Sequence, residues 1–242
     1  MKFICTQENL HKGLTIVQGI AQQATSLPIL KNILLTAKEV DLAIKSTDLE
    51  IGMTTHVRGK VEVEGEIIAE AKILSSFVAL LPQDKVTLVS ENKRLSISGG
   101  THAVKINSAG SEDFPVIPET QKENVFKISV GTLKNALSQV LPAVSLDDTR
   151  PEINGILLWV KNEELVLVGT DSYRLAEKKI SLTERVGFER KCIVPLRTIK
   201  ELVRTLDDGM MEVAVCLSQN QIAFEYPPTE MVSRLIEGQY PD

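Results

Sequence analysis

Residues 167–177 read LVGTDSYRLAE, an apolar strand that runs into the hydroxyls of Thr170 and Ser172, the carboxylate of Asp171, the phenol of Tyr173 and the guanidinium of Arg174. A hydroxyl nucleophile would need a base within hydrogen-bond reach and a third group to orient that base. His11, His56 and His102 all lie in the first half of the chain, far from this segment in sequence. A Gly-rich phosphate cradle is also missing from the sequence, since Gly99-Gly100 falls between alternating stretches and reads as a turn. Cys5, Cys192 and Cys216 sit in apolar runs such as KCIV and VAVCL, odd in number and without metal-ligand spacing. The chemistry left to the segment is turn capping or recognition, with no metal, no cofactor and no enzymatic step expected.

The elements that must position it come from a chain of 242 residues, 43% hydrophobic and 24% charged, a composition of folded domains and long enough for two. The amino terminus, MKFICTQENL, lacks the apolar run of a signal peptide, and no stretch approaches the roughly 18 apolar residues of a membrane span. A cytoplasmic protein is expected. The net charge of −5 argues against a nucleic-acid partner unless the cations are segregated on one surface.

The chain repeats itself. LPILKNILL at 27–35 is echoed by RPEINGILL at 150–158, and STDLEIG at 46–52 by GTDSYRL at 169–175. Phe3 and Phe126, Leu10 and Leu133, Pro28 and Pro151, and Asp48 and Asp171 share one offset of 123. The offset grows to 125 for Leu74, Phe77, Val78 and Leu81 against Ile199, Leu202, Val203 and Leu206, and to 126 for Pro115 against Pro241. Two domains of one fold follow, 1–120 and 121–242, joined through the Pro-rich polar stretch PVIPETQKEN at 115–124.

Within each copy the pattern runs strand, helix, strands, helix, strands. Leu133, Ala136, Leu137, Val140 and Leu141 form a helical stripe, matched by Leu10, Leu14 and Val17, with Thr6 and Ser129 as N-caps. The second helix of the later copy is expected to open at Pro195. Val40, Leu42 and Ile44, or Val213, Val215 and Leu217, alternate as half-buried strands with polar outer faces. Two helices packed on antiparallel sheets in each domain make the fold class α+β.

Acidic residues such as Glu39, Asp41, Glu62, Glu64 and Glu163 gather in strands and turns. Lys12, Lys72, Lys134, Arg197, Lys200 and Arg204 occupy or border the helices. Charge alone leaves two readings open, a cationic face for a polyanion and ordinary solvated helix surfaces.

The motifs SLPILKNILL, INGILL, TDSYRLA, VPLRTIKELV and EGQYPD, in this order along the chain, resemble the bacterial DNA polymerase III beta subunit family of sliding clamps, over the first two of its three domains. The resemblance implies two tandem DNA-clamp domains of a processivity factor. Helices line a ring around duplex DNA, phosphate contacts carry no sequence information, and DNA polymerase and clamp-loader subunits attach through short peptide motifs. It makes the helix cations, with Arg150, the DNA-binding set. It also implies a partner-peptide groove from Ile153, Thr170, Ser172, Tyr173, Arg174, Leu175 and Pro241. A ring interface on the edge strand at 101–108 would include Val104 and Ile106, with Lys72 nearby.

The sequence departs from the family at Gln22, Gln23, Ala24 and Thr25, where a basic residue often stands, and at Pro151 and Glu152, where aromatic residues do. In the family the full-length subunit is a ring-forming homodimer. This chain is expected to be a monomer with weakened peptide binding. A two-domain clamp that closes as a trimer and a non-DNA tandem scaffold are the alternatives. In both repeats the Thr-Asp pair is expected to cap the same corner, with only the SYRL tail special to the second.

Overall fold

The structure is a computed structural model that describes residues 1–23, 27–108, 110–118, 123–207 and 209–241, without the side chains of residues 22 and 23. The chain divides into two compact units, residues 1–118 with 227–230 and residues 119–226 with 231–242.

The first unit contains β1 (Lys2–Thr6), α1 (Gln7–Gln23), β2 (Asn32–Lys38), β3 (Asp41–Thr47), β4 (Ile51–Arg58), β5 (Lys60–Val63), β6 (Gly65–Glu70), α2 (Ala71–Leu80), β7 (Lys85–Glu91), β8 (Arg94–Gly99) and β9 (His102–Asn107). The second contains β10 (Asn124–Ser129), α3 (Val130–Val140), β11 (Gly155–Lys161), β12 (Glu164–Thr170), β13 (Leu175–Ser181), β14 (Glu189–Pro195), α4 (Leu196–Thr205), β15 (Glu212–Leu217), β16 (Gln221–Tyr226) and, from Met231 on, β17 (Thr229–Arg234).

Strand orders match across the repeat. In the first unit β4-β3-β2-β6 corresponds to β13-β12-β11-β14 of the second, and β1-β7-β8-β9 corresponds to β10-β15-β16-β17. The first unit carries one extra strand, β5, on the outer side of β1. The paired strands are antiparallel, as the short connections and alternating patterns require.

The helical stripes are what bury the helices. Leu10, Leu14 and Val17 of α1, Leu133, Leu137 and Val140 of α3, Leu74 and Val78 of α2, and Ile199 and Leu202 of α4 all lie at or near zero exposure. Helix α1 packs on β3 and β4 and against α2, and α3 packs on β12 and β13 and against α4. Each buried aliphatic side chain contributes roughly 1.5–3 kcal/mol relative to exposure, so these four stripes carry much of both cores. Ser129 caps α3 through its Oγ, which accepts from the Thr132 N–H at 3.2 Å, and Thr6 accepts from the Asn9 N–H at 3.3 Å.

Three local expectations are corrected, and one further strand, β12, is buried as its apolar sequence suggests. Pro195 closes β14, paired with Gly155, and stands as the N-cap of α4 ahead of its first helical residue. Leu141 lies past the end of α3 in a 3-10 turn and is only half-buried. Val40 is in a turn and 75% exposed, while Ala43 between Leu42 and Ile44 is buried, so β3 is covered on both faces. In β12, Leu165 through Thr170 are all buried, because α3 covers one face while the return of the chain near Tyr240 reaches the backbone of Val168.

Candidate partner groove and cationic helices

The Thr-Asp corner is built twice from the same bonds. In the first unit Thr47 Oγ1 donates to the Ile51 carbonyl at 3.0 Å and accepts from the Leu49 N–H at 3.0 Å. Asp48 Oδ1 accepts from the N–H groups of Glu50 and Ile51 at 2.9 and 2.7 Å. In the second unit Thr170 Oγ1 donates to the Arg174 carbonyl at 2.8 Å and accepts from the Ser172 N–H at 3.1 Å. Asp171 Oδ1 accepts from the N–H groups of Tyr173 and Arg174 at 3.0 and 2.9 Å.

Leu49 and Ser172 occupy the same left-handed position, with φ of 80° and 75°. A non-glycine residue is held there only because the surrounding bonds fix the turn. Gly169 lets β12 run close under the end of α3, where a Cβ would fall 2.8 Å from Val144 and 2.9 Å from Val140.

The units part company in what the corner presents. Arg174 Nε donates to Asp171 Oδ2 at 2.9 Å, which fixes the guanidinium at the rim, and Tyr173 projects outward at 98% exposure. The backbone N–H groups of Arg174 and Tyr173 hold the Asp171 carboxyl below its usual range, with the Arg174 side chain adding to them. The hydroxyl and both carboxylate oxygens of the Thr-Asp pair are therefore committed to the turn.

A cavity of about 410 Å³ lies against this corner, lined by Arg150, Thr170, Ser172, Tyr173, Arg174, Leu175 and Pro241. Six of the seven residues expected in the groove are thus brought together. The seventh, Ile153, is not. It ends a 3-10 turn at Pro151–Ile153 and is 2% exposed, packed into the core, so it offers a partner no surface as it stands. In its place stands Arg150, whose Nη1 donates to Ser172 Oγ at 2.8 Å and whose Nε meets Glu152 Oε1 at 3.3 Å. Glu152 thereby takes up part of the charge of Arg150. Leu175 opens β13 at 65% exposure and supplies an apolar wall.

Pro241 is carried in by the segment after β17. That segment is anchored where Ile236 N–H donates to the Ile193 carbonyl at 2.9 Å and where Tyr240 Oη donates to the Val168 carbonyl at 3.1 Å. Burial pushes the Tyr240 phenol up to about 12, which keeps it protonated as the donor.

The helix cations are less alike than their sequence positions suggest. Lys12, Lys72 and Lys200 are exposed. Lys134 is half-buried, and its Nζ donates to the Leu206 carbonyl at 3.1 Å, capping the C-terminal end of α4. Arg197 is half-buried, with Nε and Nη2 shielded from solvent. Arg204 is held by the buried Glu201, with Nε and Nη2 at 2.8 and 2.7 Å from Oε2. The positions at Ala24 and Thr25, and the side chains of Gln22 and Gln23, lie outside the described residues.

In the first unit β9 is the outermost strand of its sheet, with Ile106 buried at 7% exposure and Val104 half-buried. Sequence reasoning missed Ile73 and Leu80 of α2, which are 46% and 84% exposed and spaced by seven residues on one helical face. The signal was in the sequence, since α2 reads AKILSSFVAL with a single charge. Cys5 and Cys192 are buried thiols pushed up to about 12, inert at neutral pH, and Cys216 is buried as well. Among the described residues no group of three or more metal-ligating side chains gathers, and no helix is long and apolar enough to cross a membrane.

Comparison with known proteins gives a consistent picture. Residues 1–118 match the family model of the DNA polymerase III beta subunit, N-terminal domain, and residues 127–242 match that of its central domain. The chain is similar to the beta sliding clamp of Chlamydia muridarum, 26% identical with 100% of this chain and 66% of that protein covered. It is also similar to that of Staphylococcus aureus, 29% identical with 90% and 60% covered. In structure it is similar to the DNA polymerase III subunit beta of Pseudomonas aeruginosa, with a TM-score of 0.93 and 30% identity. The DNA polymerase sliding clamp of Bacillus subtilis superposes with a TM-score of 0.95 and 27% identity. In both cases 100% of this chain and 66% of the solved chain are covered, so the chain spans just under two thirds of the length of these relatives.

Proposed function

The chain belongs to the DNA polymerase III beta subunit family, and on that premise we propose that its regions 1–120 and 121–242 act as two clamp domains of a non-enzymatic DNA processivity factor in the cytoplasm. In this role the helix cations touch duplex phosphates without reading bases. Contacts of that kind keep the energy flat along the duplex, so that ring closure rather than affinity retains the protein. Lys12, Lys72 and Lys200 are the cations best exposed for it. Val104 and Ile106 on the outermost strand β9, with Ile73 and Leu80 on α2, form the ring-closing side. An open edge and exposed apolar residues are what a partner domain would cover.

The observation that carries the partner-binding half is the cavity at Thr170–Leu175. The second corner repeats the first bond for bond, yet it adds an outward phenol, a fixed guanidinium, an apolar wall and the side chain of Pro241. These suit a short peptide with hydrophobic anchors, as polymerase and clamp-loader subunits would present. That the Thr170 hydroxyl and one Asp171 oxygen are spent on the backbone, and the other oxygen on Arg174, supports a role in recognition rather than reaction.

The test is fluorescence anisotropy with a labelled clamp-binding peptide. Saturable binding that is lost in Arg174→Ala and Tyr173→Ala supports the groove, and equal binding by both variants removes it.

A further inference from the structure

We propose that the outer edge of β10 is a second docking site, one that takes an extended segment of a partner polypeptide in which basic and apolar residues alternate. The internal repeat is the starting point. In the first unit the outer edge of β1 is covered by β5, with Lys2 opposite Val63, Phe3 opposite Val61 and Ile4 opposite Lys60. The Lys2 to Glu62 ion pair, at 2.8 Å, ties the two strands together.

Among the described residues the second unit has the same geometry without the cover. β10 ends its sheet, and the chain between β13 and β14, residues 182–188, forms no strand. By the offset of the second half of the repeat, Arg185–Phe188 are the counterparts of Lys60–Val63. They are held aside where the Leu182 and Val186 N–H groups donate to the carbonyls of Glu163 and Asn162, both at 2.7 Å.

A cavity of about 460 Å³ occupies the place the missing strand would fill, between β10 and this loop. A strand edge left open in this way offers a row of backbone donors and acceptors to any extended chain that fits beside it. The side chains around the cavity set which chain fits. Val125, 40% exposed, and the half-buried Phe188 offer an apolar seat. Glu123, Glu184 and Glu212 outnumber Lys127 and Arg185 around it. Cross-strand pairing then favours basic residues flanking an apolar one.

The experiment titrates the full chain with a blocked hexapeptide alternating lysine and valine, followed by backbone amide NMR. The expected result is saturable shifts confined to residues 123–129 and 183–188, with affinity weakened roughly two- to fivefold by Val125→Lys and by Glu184→Lys. Glu184 is an exposed loop residue, so this second variant keeps the test meaningful should Val125→Lys fail to fold. The same peptide with alternate amides N-methylated is expected not to bind. Equal binding of the methylated peptide would reduce the site to ionic adhesion and overturn the proposal. So would slow amide exchange along the outer edge of β10 without peptide, which would mean the chain's own loop closes on it. Concentration-dependent self-association abolished by Val125→Lys would assign the edge to a second copy instead. Arg174→Ala is expected to leave this binding unchanged, which separates the site from the groove.

Discussion

Arg150 and Ser172, 22 residues apart, meet through an Nη1 to Oγ hydrogen bond of 2.8 Å that sets a cation over the mouth of the Thr170–Leu175 cavity. A residue expected on grounds of family resemblance to touch DNA is thereby placed among the groove residues. Arg150→Ala is predicted to weaken a clamp-binding peptide by roughly three- to tenfold, the cost of one charge-assisted contact at an exposed rim. Its effect on duplex DNA should stay within about twofold. Paired anisotropy titrations, one with peptide and one with duplex, check both.

Arg204 is predicted to act on stability before it acts on DNA. Its partner Glu201 is buried, so Arg204→Ala strands a carboxylate inside the protein. The loss should be on the order of 2 kcal/mol, below that of a fully buried pair because Arg204 itself is partly exposed. Urea denaturation measures it, and adding Glu201→Gln should recover most of the loss. Lys200→Ala, by contrast, should leave stability unchanged and lower the salt slope of DNA association by about one.

Ile153→Ala is predicted to cost about 2–4 kcal/mol, as for a core aliphatic, and to weaken peptide binding only through that loss. Thermal and urea unfolding decide the point. A variant with native stability and an impaired groove would put Ile153 back on the surface.

The two corners should respond as twins. Thr47→Val and Thr170→Val each remove a hydroxyl that bridges one donor and one acceptor of the backbone, and each should destabilise its own unit by about 1–2 kcal/mol. Only the second should also disturb the peptide.

The pH dependence follows from three carboxylates held low in the folded chain. Glu62 is pulled to about 2 by hydrogen bonds from Lys2 and then Lys60, and Asp171 and Asp147 are lowered chiefly by backbone N–H groups. A lowered folded value means that the stabilisation is complete above the unfolded carboxylate range, near 4, and is lost as pH falls through the folded value. Melting temperatures should therefore drop from about pH 4 toward pH 2. Glu62→Gln should flatten that part of the curve that belongs to the β1–β5 edge.

Much of this was legible in the letters because the chain is written twice. The constant offset exposed the Thr-Asp corner before any geometry, since two occurrences of one pair in register imply one local job, and the bond patterns at Thr47 and Thr170 agree. Strand faces were harder to read. Alternation assumes one wet face, and β3 lacks one, since Ala43 is buried between Leu42 and Ile44. Ile153 could not be placed by spacing, because a single 3-10 turn decides whether a side chain points in or out. The Arg150 to Ser172 contact joins two loops, and no periodicity reports on loops that meet in space. Ile73 and Leu80 were passed over because an apolar helix reads as core until exposure is known.

The three buried sulfurs have a practical side. With Cys5 and Cys192 unionised at neutral pH and Cys216 sealed from solvent, the chain is expected to be silent toward maleimide reagents without any mutation to clear the background. A dye attached to Tyr173→Cys, at the most outward side chain of the corner, would then report the arrival of a ligand from a single known place.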